Sequence, residues 1–98
     1  MAEPKITRED RATRGRYVAR IDGIDAEAEL TYSRASPELI IADHTEVPDV
    51  FRGQGLGRLL ATRMVEDARA EGVKIFVLCP FVNAERKKHP DWADVFAN

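Results

Sequence analysis

The residues whose spacing carries most chemistry run from Arg52 to Arg58: Arg-Gly-Gln-Gly-Leu-Gly-Arg. Gly53, Gly55 and Gly57 remove a Cβ at alternate positions, which lets the backbone approach a ligand closely. The string leads directly into a helical pattern. The first amides of a helix have no intrahelical partner and stand at the positive end of its dipole. Together these features suit phosphate oxygens, and Arg52 and Arg58 flank the turn where they can add charge-assisted bonds. Two phosphate motifs are excluded. A P-loop needs Gly-Lys followed by Ser or Thr, and Arg58-Leu59 follow Gly57 instead. A dinucleotide fingerprint needs Gly-x-Gly-x-x-Gly with an acidic residue roughly twenty positions on. Here the spacing is Gly-x-Gly-x-Gly, and Lys74 with apolar neighbours occupies that place. The competing reading is a turn that merely packs a helix on a sheet, but that does not account for arginine on both sides.

The flanking sequence must supply the frame. Arg16 to Ile21 reads as a strand, and Asp22-Gly23 suits a tight hairpin turn. Ala26, Ala28, Leu30 and Tyr32 alternate with Glu27, Glu29, Thr31 and Ser33, the period of a strand with one wet face. Ser36-Pro37 is a turn, and a third strand runs from Leu39 to Val47. Three strands with short connections predict an antiparallel meander. From Arg58 to Glu71 the apolar residues Leu60, Ala61, Met64, Val65 and Ala68 recur at helical spacing, and Gly72 marks the helix end. Val73 to Cys79 is a nearly continuous apolar run, which predicts a strand covered on both faces and paired in parallel. Strand, helix, strand makes a βαβ unit. After Pro80 a short helix is predicted over Val82–Lys88 and stopped by Pro90, and Trp92, Val95 and Phe96 dock the tail. The fold class is α+β, with a mixed sheet, a meander, a βαβ unit and short C-terminal helices.

Composition limits the alternatives. The 98 residues are 44% apolar and 33% charged, with a formal net charge of −2. That predicts one folded domain over 1–98 and speaks against a nucleic-acid binder, which is usually basic. No apolar run approaches the ~20 residues of a membrane span. The polar N-terminus lacks a signal-peptide core, so a cytoplasmic location is expected. The single cysteine excludes an internal disulfide and a multi-cysteine metal site, and no metal is expected. Charge is segregated along the chain. Residues 22–49 hold eight acidic groups and one basic, whereas residues 50–89 hold eight basic and four acidic. The first block would attract a cation and the second an anion, unless the two mix in three dimensions.

Arg52-Gly53-Gln54-Gly55-Leu56-Gly57 resembles the Arg/Gln-x-x-Gly-x-Gly/Ala signature of the GNAT N-acetyltransferases. The likeness is closer to a subgroup of small, single-domain GNAT-like proteins, through His44-Thr45-Glu46-Val47-Pro48, Cys79-Pro80-Phe81-Val82 and Lys88-His89-Pro90. It spans roughly Leu39 to Val95. The resemblance implies a protein that binds acetyl-coenzyme A and moves an acetyl group to a primary amine, on a protein lysine or a small molecule. It implies that Val47 bonds the pantetheine arm, that Arg52 to Arg58 hold the pyrophosphate, and that Asn83 is a further polar contact. It implies His44 and Cys79 as the active-site pair. A free thiol near pKa 8.5 is ~3% thiolate at pH 7, and an adjacent imidazole raises that fraction. Cys79 would then accept the acetyl group, or protonate the departing thiolate. His44, with Glu46 behind it, is the candidate base for the amine. Both could equally be structural. Larger GNAT enzymes use a tyrosine as general acid, and none follows Val82. A coenzyme A binding module without turnover is the alternative, and the short cleft leaves room for a partner protein to complete it.

Overall fold

The structure, a computed structural model, describes residues 3–98. Five strands form one sheet in chain order: β1 (Lys5–Asp10), β2 (Arg14–Arg20), β3 (Ala28–Ser36), β4 (Leu39–Glu46) and β5 (Lys74–Val77). β1 to β4 pair antiparallel, and β4 and β5 pair in parallel. The long helix α1 (Leu56–Glu71) joins the parallel pair, and α2 (Pro80–Arg86) follows β5. Short 3-10 turns occupy Asp49–Phe51 and Pro90–Val95. The α+β meander-plus-βαβ architecture is therefore present, with one more antiparallel strand than the sequence pattern showed.

α1 lies on one face of the sheet and buries Leu56, Leu60, Ala61, Met64, Val65 and Ala68 against Tyr17, Leu30, Tyr32 and Ile75. Each large side chain buried there contributes roughly 1.5–3 kcal/mol. Gly72 ends the helix at φ +70°, and the Val73 amide donates to Ala68 O at 2.9 Å, closing the last turn as only a left-handed residue allows. Trp92 and Val95 are buried in the same layer, and the Ala97 amide donates to Ile75 O at 2.8 Å along the outer edge of β5.

Several expectations need correction. β1 was not apparent because KITRED contains one apolar residue. It is held by Arg8, which donates from Nε to the Tyr32 hydroxyl and from Nη1 to Asp67 and Glu71 on α1, and lies over the Tyr17 ring. Burial, and a bond from its hydroxyl to Asp67, push the Tyr17 phenol above its ordinary range. The Tyr32 hydroxyl bond, with Arg8 and Arg34 nearby, holds Asp10 below the usual carboxylate range. The Asp22-Gly23 region is not a two-residue hairpin turn. β2 ends at Arg20 and β3 begins at Ala28, with a turn closed from the Ile24 amide to Ile21 O at 3.1 Å and Gly23 at φ +89°. β5 is covered on one face only: Ile75 and Val77 are buried, while Phe76 and the following Leu78 are exposed, because none of the described residues packs over them on the side away from α1. The acidic block is answered mainly by the first twenty residues, since Arg16 pairs with Glu27 and Glu29, and Arg20 with Glu27, whereas Arg52–Asp49 is the one ion pair among the described residues that joins it to the basic block.

Candidate functional site

The glycine turn adopts the shape its composition suggested. After the 3-10 turn, the Arg52 amide donates to Asp49 O and the Gln54 amide to Phe51 O. Gly53 and Gly55 take φ of +82° and +70°, conformations that other residues rarely adopt, and Gly55 is the N-cap of α1. The helix therefore begins at Leu56, two residues before the apolar spacing indicated. The Leu59 amide bonds Gly55 O, but the amides of Gly53, Gly55, Leu56, Gly57 and Arg58 make no hydrogen bond among the described residues. Gly57 serves differently. Its φ is ordinary, but a Cβ there would stand 2.6 Å from Phe81 Cζ, so glycine lets the ring lie against the helix start.

Around these amides is a cavity of about 250 Å³, lined by Val47, Phe51, Arg52, Gly53, Gly55, Leu56, Gly57, Arg58, Phe81 and Glu85. Most of the sequence-predicted binding residues thus surround one space. Gln54 is exposed, and Asn83 accepts a bond from Arg86 Nε at 3.0 Å; neither lines the cavity. Arg52 is turned towards Asp49 at 3.2 Å, and Arg58 lies 3.6 Å from Glu85. Phe51, Phe81 and Glu85 were not anticipated. Phe81 and Glu85 are four apart on α2, so one helix face presents both.

Val47, at the rim of the cavity, directly follows an open strand edge. β4 pairs with β5 only as far as Ala42↔Val77, after which the Leu78 and Cys79 amides both donate to Ala42 O. Pro80 is the first residue of α2 and has no N–H, so the ladder cannot extend through it. From Asp43 through the end of β4 to Val47, the β5-side backbone has no pairing partner among the described residues.

Cys79 and His44 flank that opening but are not neighbours. β4 bulges at Asp43/His44, where the partners of Thr31 and Tyr32 shift from His44 to Ala42. By strict alternation from Ile40 and Ala42, His44 would share the covered face with Cys79. The inserted residue turns it to the open face, beside Thr31, and brings Thr45 to the covered face instead. Thr45 Oγ1 lies 3.2 Å from Cys79 Sγ, and Cys79 is 1% exposed. The His44 side chain is exposed and makes no hydrogen bond among the described residues. A close His44–Cys79 pair is therefore replaced by a Thr45–Cys79 contact.

A larger depression, about 490 Å³, lies on the open face between Arg11, Arg14, Arg16, Tyr32 and Asp43, and holds none of the predicted site residues. Among the described residues no helix is long and apolar enough to cross a membrane, and no three metal-ligating side chains cluster.

Comparison with known proteins agrees with this geometry. Residues 16–95 match the GCN5-related N-acetyl-transferase family. Protein NATD1 of Gallus gallus is 29% identical over 77 residues, covering 79% of this chain and 70% of that one. Protein NATD1 of Xenopus tropicalis is 30% identical, covering 79% and 71%. The NMR structure of a GCN5-like protein from Staphylococcus aureus superposes with a TM-score of 0.71 and 31% identity, over 96% of this chain and 88% of that one.

Proposed function

The chain belongs to the GCN5-related N-acetyltransferase family, and on that premise we propose that it binds acetyl-coenzyme A and transfers the acetyl group to a primary amine. The observation that carries this reading is the set of unpartnered amides at Gly53, Gly55, Leu56, Gly57 and Arg58 opening into one cavity. Such donors at a helix start are matched to the diphosphate of coenzyme A. The free β4 edge at Asp43–Val47 supports a place for the pantetheine amides, which can pair with it as an added strand would.

In the reaction the amine nitrogen attacks the thioester carbonyl, the C–S bond breaks, the amine loses a proton and the sulfur gains one. Cys79, on the covered face, is the group we assign to the sulfur, either as proton donor or by carrying the acetyl group as a thioester. His44, on the open face, is assigned to the amine. A lysine-type amine of pKa ~10.4 is only ~0.04% neutral at pH 7, so a base is required. This division has the cofactor and acceptor enter from opposite faces of the β4–β5 gap. The acceptor is a protein lysine or a small amine, and the protein acts in the cytoplasm.

A second reading is a coenzyme A binding module with little turnover. It is favoured by the near-complete burial of Cys79 and its contact with Thr45 instead of an imidazole. Calorimetric titration with acetyl-coenzyme A, followed by thiol release over an amine panel, separates the two. Binding with release is expected of the transferase, and binding alone of the module. No binding refutes both.

A further inference from the structure

Glu85 is an unusual neighbour for a phosphate cradle. It is 4% exposed, the only buried charged side chain among the described residues, and it lines the cavity beside the amides. Its Oε1 accepts from Lys88 Nζ at 3.5 Å. Its Oε2 lies 3.6 Å from Arg58 Nε and 3.3 Å from His89 Nε2, yet is buried without a hydrogen bond. His89 is stacked on Trp92 at 3.9 Å, so the imidazole is fixed where it stands. Arg58 and His89 stand within ion-pair distance of Oε2 without completing a hydrogen bond, so this buried acceptor keeps a lone pair that a further donor can take. The carboxylate also places negative charge next to donors arranged for an anion, which disfavours a ligand that is anionic throughout.

We propose that Glu85 reads a hydrogen-bond donor on the neutral arm of the bound ester, so that the cavity takes a diphosphate ester with a hydroxyl- or amide-bearing arm in preference to a plain diphosphate. The inference rests on the coenzyme A reading above and deepens it. The amides bind the diphosphate, and Oε2 accepts from an O–H or N–H of the arm as it turns towards Val47 and the open edge of β4. Arg58, on α1, balances the carboxylate from one side, and Lys88, following α2, does so from the other. ADP, which lacks the arm, would meet the carboxylate without offering that donor.

The test is calorimetric affinity for dephospho-coenzyme A and for ADP, which share the diphosphate and differ in the arm, measured on wild type, Glu85→Gln and Glu85→Ala. The wild-type preference for dephospho-coenzyme A is expected to fall by about tenfold or more in Glu85→Ala, the scale of a hydrogen bond to a charged acceptor. Glu85→Gln keeps an acceptor oxygen but not the charge, so it should bind ADP more tightly than wild type does and retain part of the arm preference. A preference unchanged within about twofold in both variants overturns the proposal and leaves the coenzyme A reading intact. Wild type that binds neither ligand overturns both. Where a variant fails to fold, the wild-type structure with dephospho-coenzyme A decides: an arm donor within hydrogen-bond reach of Oε2 supports the assignment, and an arm with no donor there refutes it.

Discussion

Replacing Gly57 with alanine sets stability against binding at one position. Gly57 is the second residue of α1 with an ordinary helical backbone, so Gly57→Ala gains up to about 1 kcal/mol of helix propensity. Its new Cβ would lie 2.6, 2.9 and 3.2 Å from three atoms of the Phe81 ring. Ordinary contact begins near 3.4 Å, so the ring must give way by close to 1 Å, at a cost of about 1–3 kcal/mol if it cannot and much less if it can. Phe81 is 38% exposed and borders the cavity, so it has room to swing. The two effects on folding should nearly cancel, leaving the melting temperature within about 5 °C of wild type. Binding has no such compensation, because the displaced ring and the added methyl both reshape the cradle. Affinity for coenzyme A should fall about tenfold or more by calorimetry. Gly55→Ala is the converse control. No atom lies within 4 Å of a Cβ there, but φ is +70°. The substitution should cost about 1–2 kcal/mol of stability through the backbone alone. Gly57→Ala with wild-type affinity, or a Gly55→Ala protein as stable as wild type, would refute the reasoning about why each glycine is present.

Arg8→Met should lower stability by about 2 kcal/mol, roughly 10 °C in melting, because Asp67, Glu71 and the Tyr32 hydroxyl lose their shared donor; an unchanged melting curve would mean that β1 is held otherwise. Both Tyr17 and Tyr32 have phenols raised above the ordinary value of 10.0, by burial first and then by their bonds to Asp67 and Asp10. Above about pH 10 the unfolded chain loses those protons before the folded one does, so stability should decline as pH rises there; a denaturation series from pH 8 to 11 should show a shallower decline in Tyr17→Phe, and equal slopes would count against the assignment. Cys79→Ala should fold with a loss of about 1 kcal/mol and abolish thiol release from acetyl-coenzyme A in the presence of acceptor; unchanged turnover would remove Cys79 from the chemistry.

What the sequence made legible depended on whether a residue's fate was decided locally. The glycine turn, the α1 apolar stripe and the Gly72 cap are local, and each appears close to where its pattern lies. β1 was illegible because, beyond its ladder with β2, it is tied down by polar side chains with distant partners, Arg8 reaching Asp67 and Glu71, 59 and 63 positions away. The run Val73–Cys79 was misleading in the other direction. Its apolar content suggested cover on both faces, but the sheet has helices on one side only, and Leu78 is left 62% exposed. Glu85 could not be anticipated, since a carboxylate in a charged helical segment is ordinarily solvated. The bulge in β4 was the most consequential omission. Alternation alone puts His44 with Cys79, and one extra residue separates them.

That separation, together with Pro80, determines what kind of opening the sheet has. Pro80 ends the β4–β5 ladder because it lacks an N–H, while β4 remains paired to β3 as far as Glu46. The result is a parallel pair that parts on one side only, with a fixed wall of backbone amides and carbonyls facing the gap. A gap between two strands passes through the sheet, so it is reachable from the helix-covered side and from the open side. The bulge assigns one titratable side chain to each entrance: Cys79 beside Thr45 on the covered side, His44 on the open side. Had β4 continued without the inserted residue, imidazole and thiol would crowd the same entrance, and the open side would present Thr45 in place of a base. On the proposed reading, where an anionic thioester and a cationic amine must meet without sharing a path, the irregular strand is therefore what makes a two-sided approach available to so small a sheet.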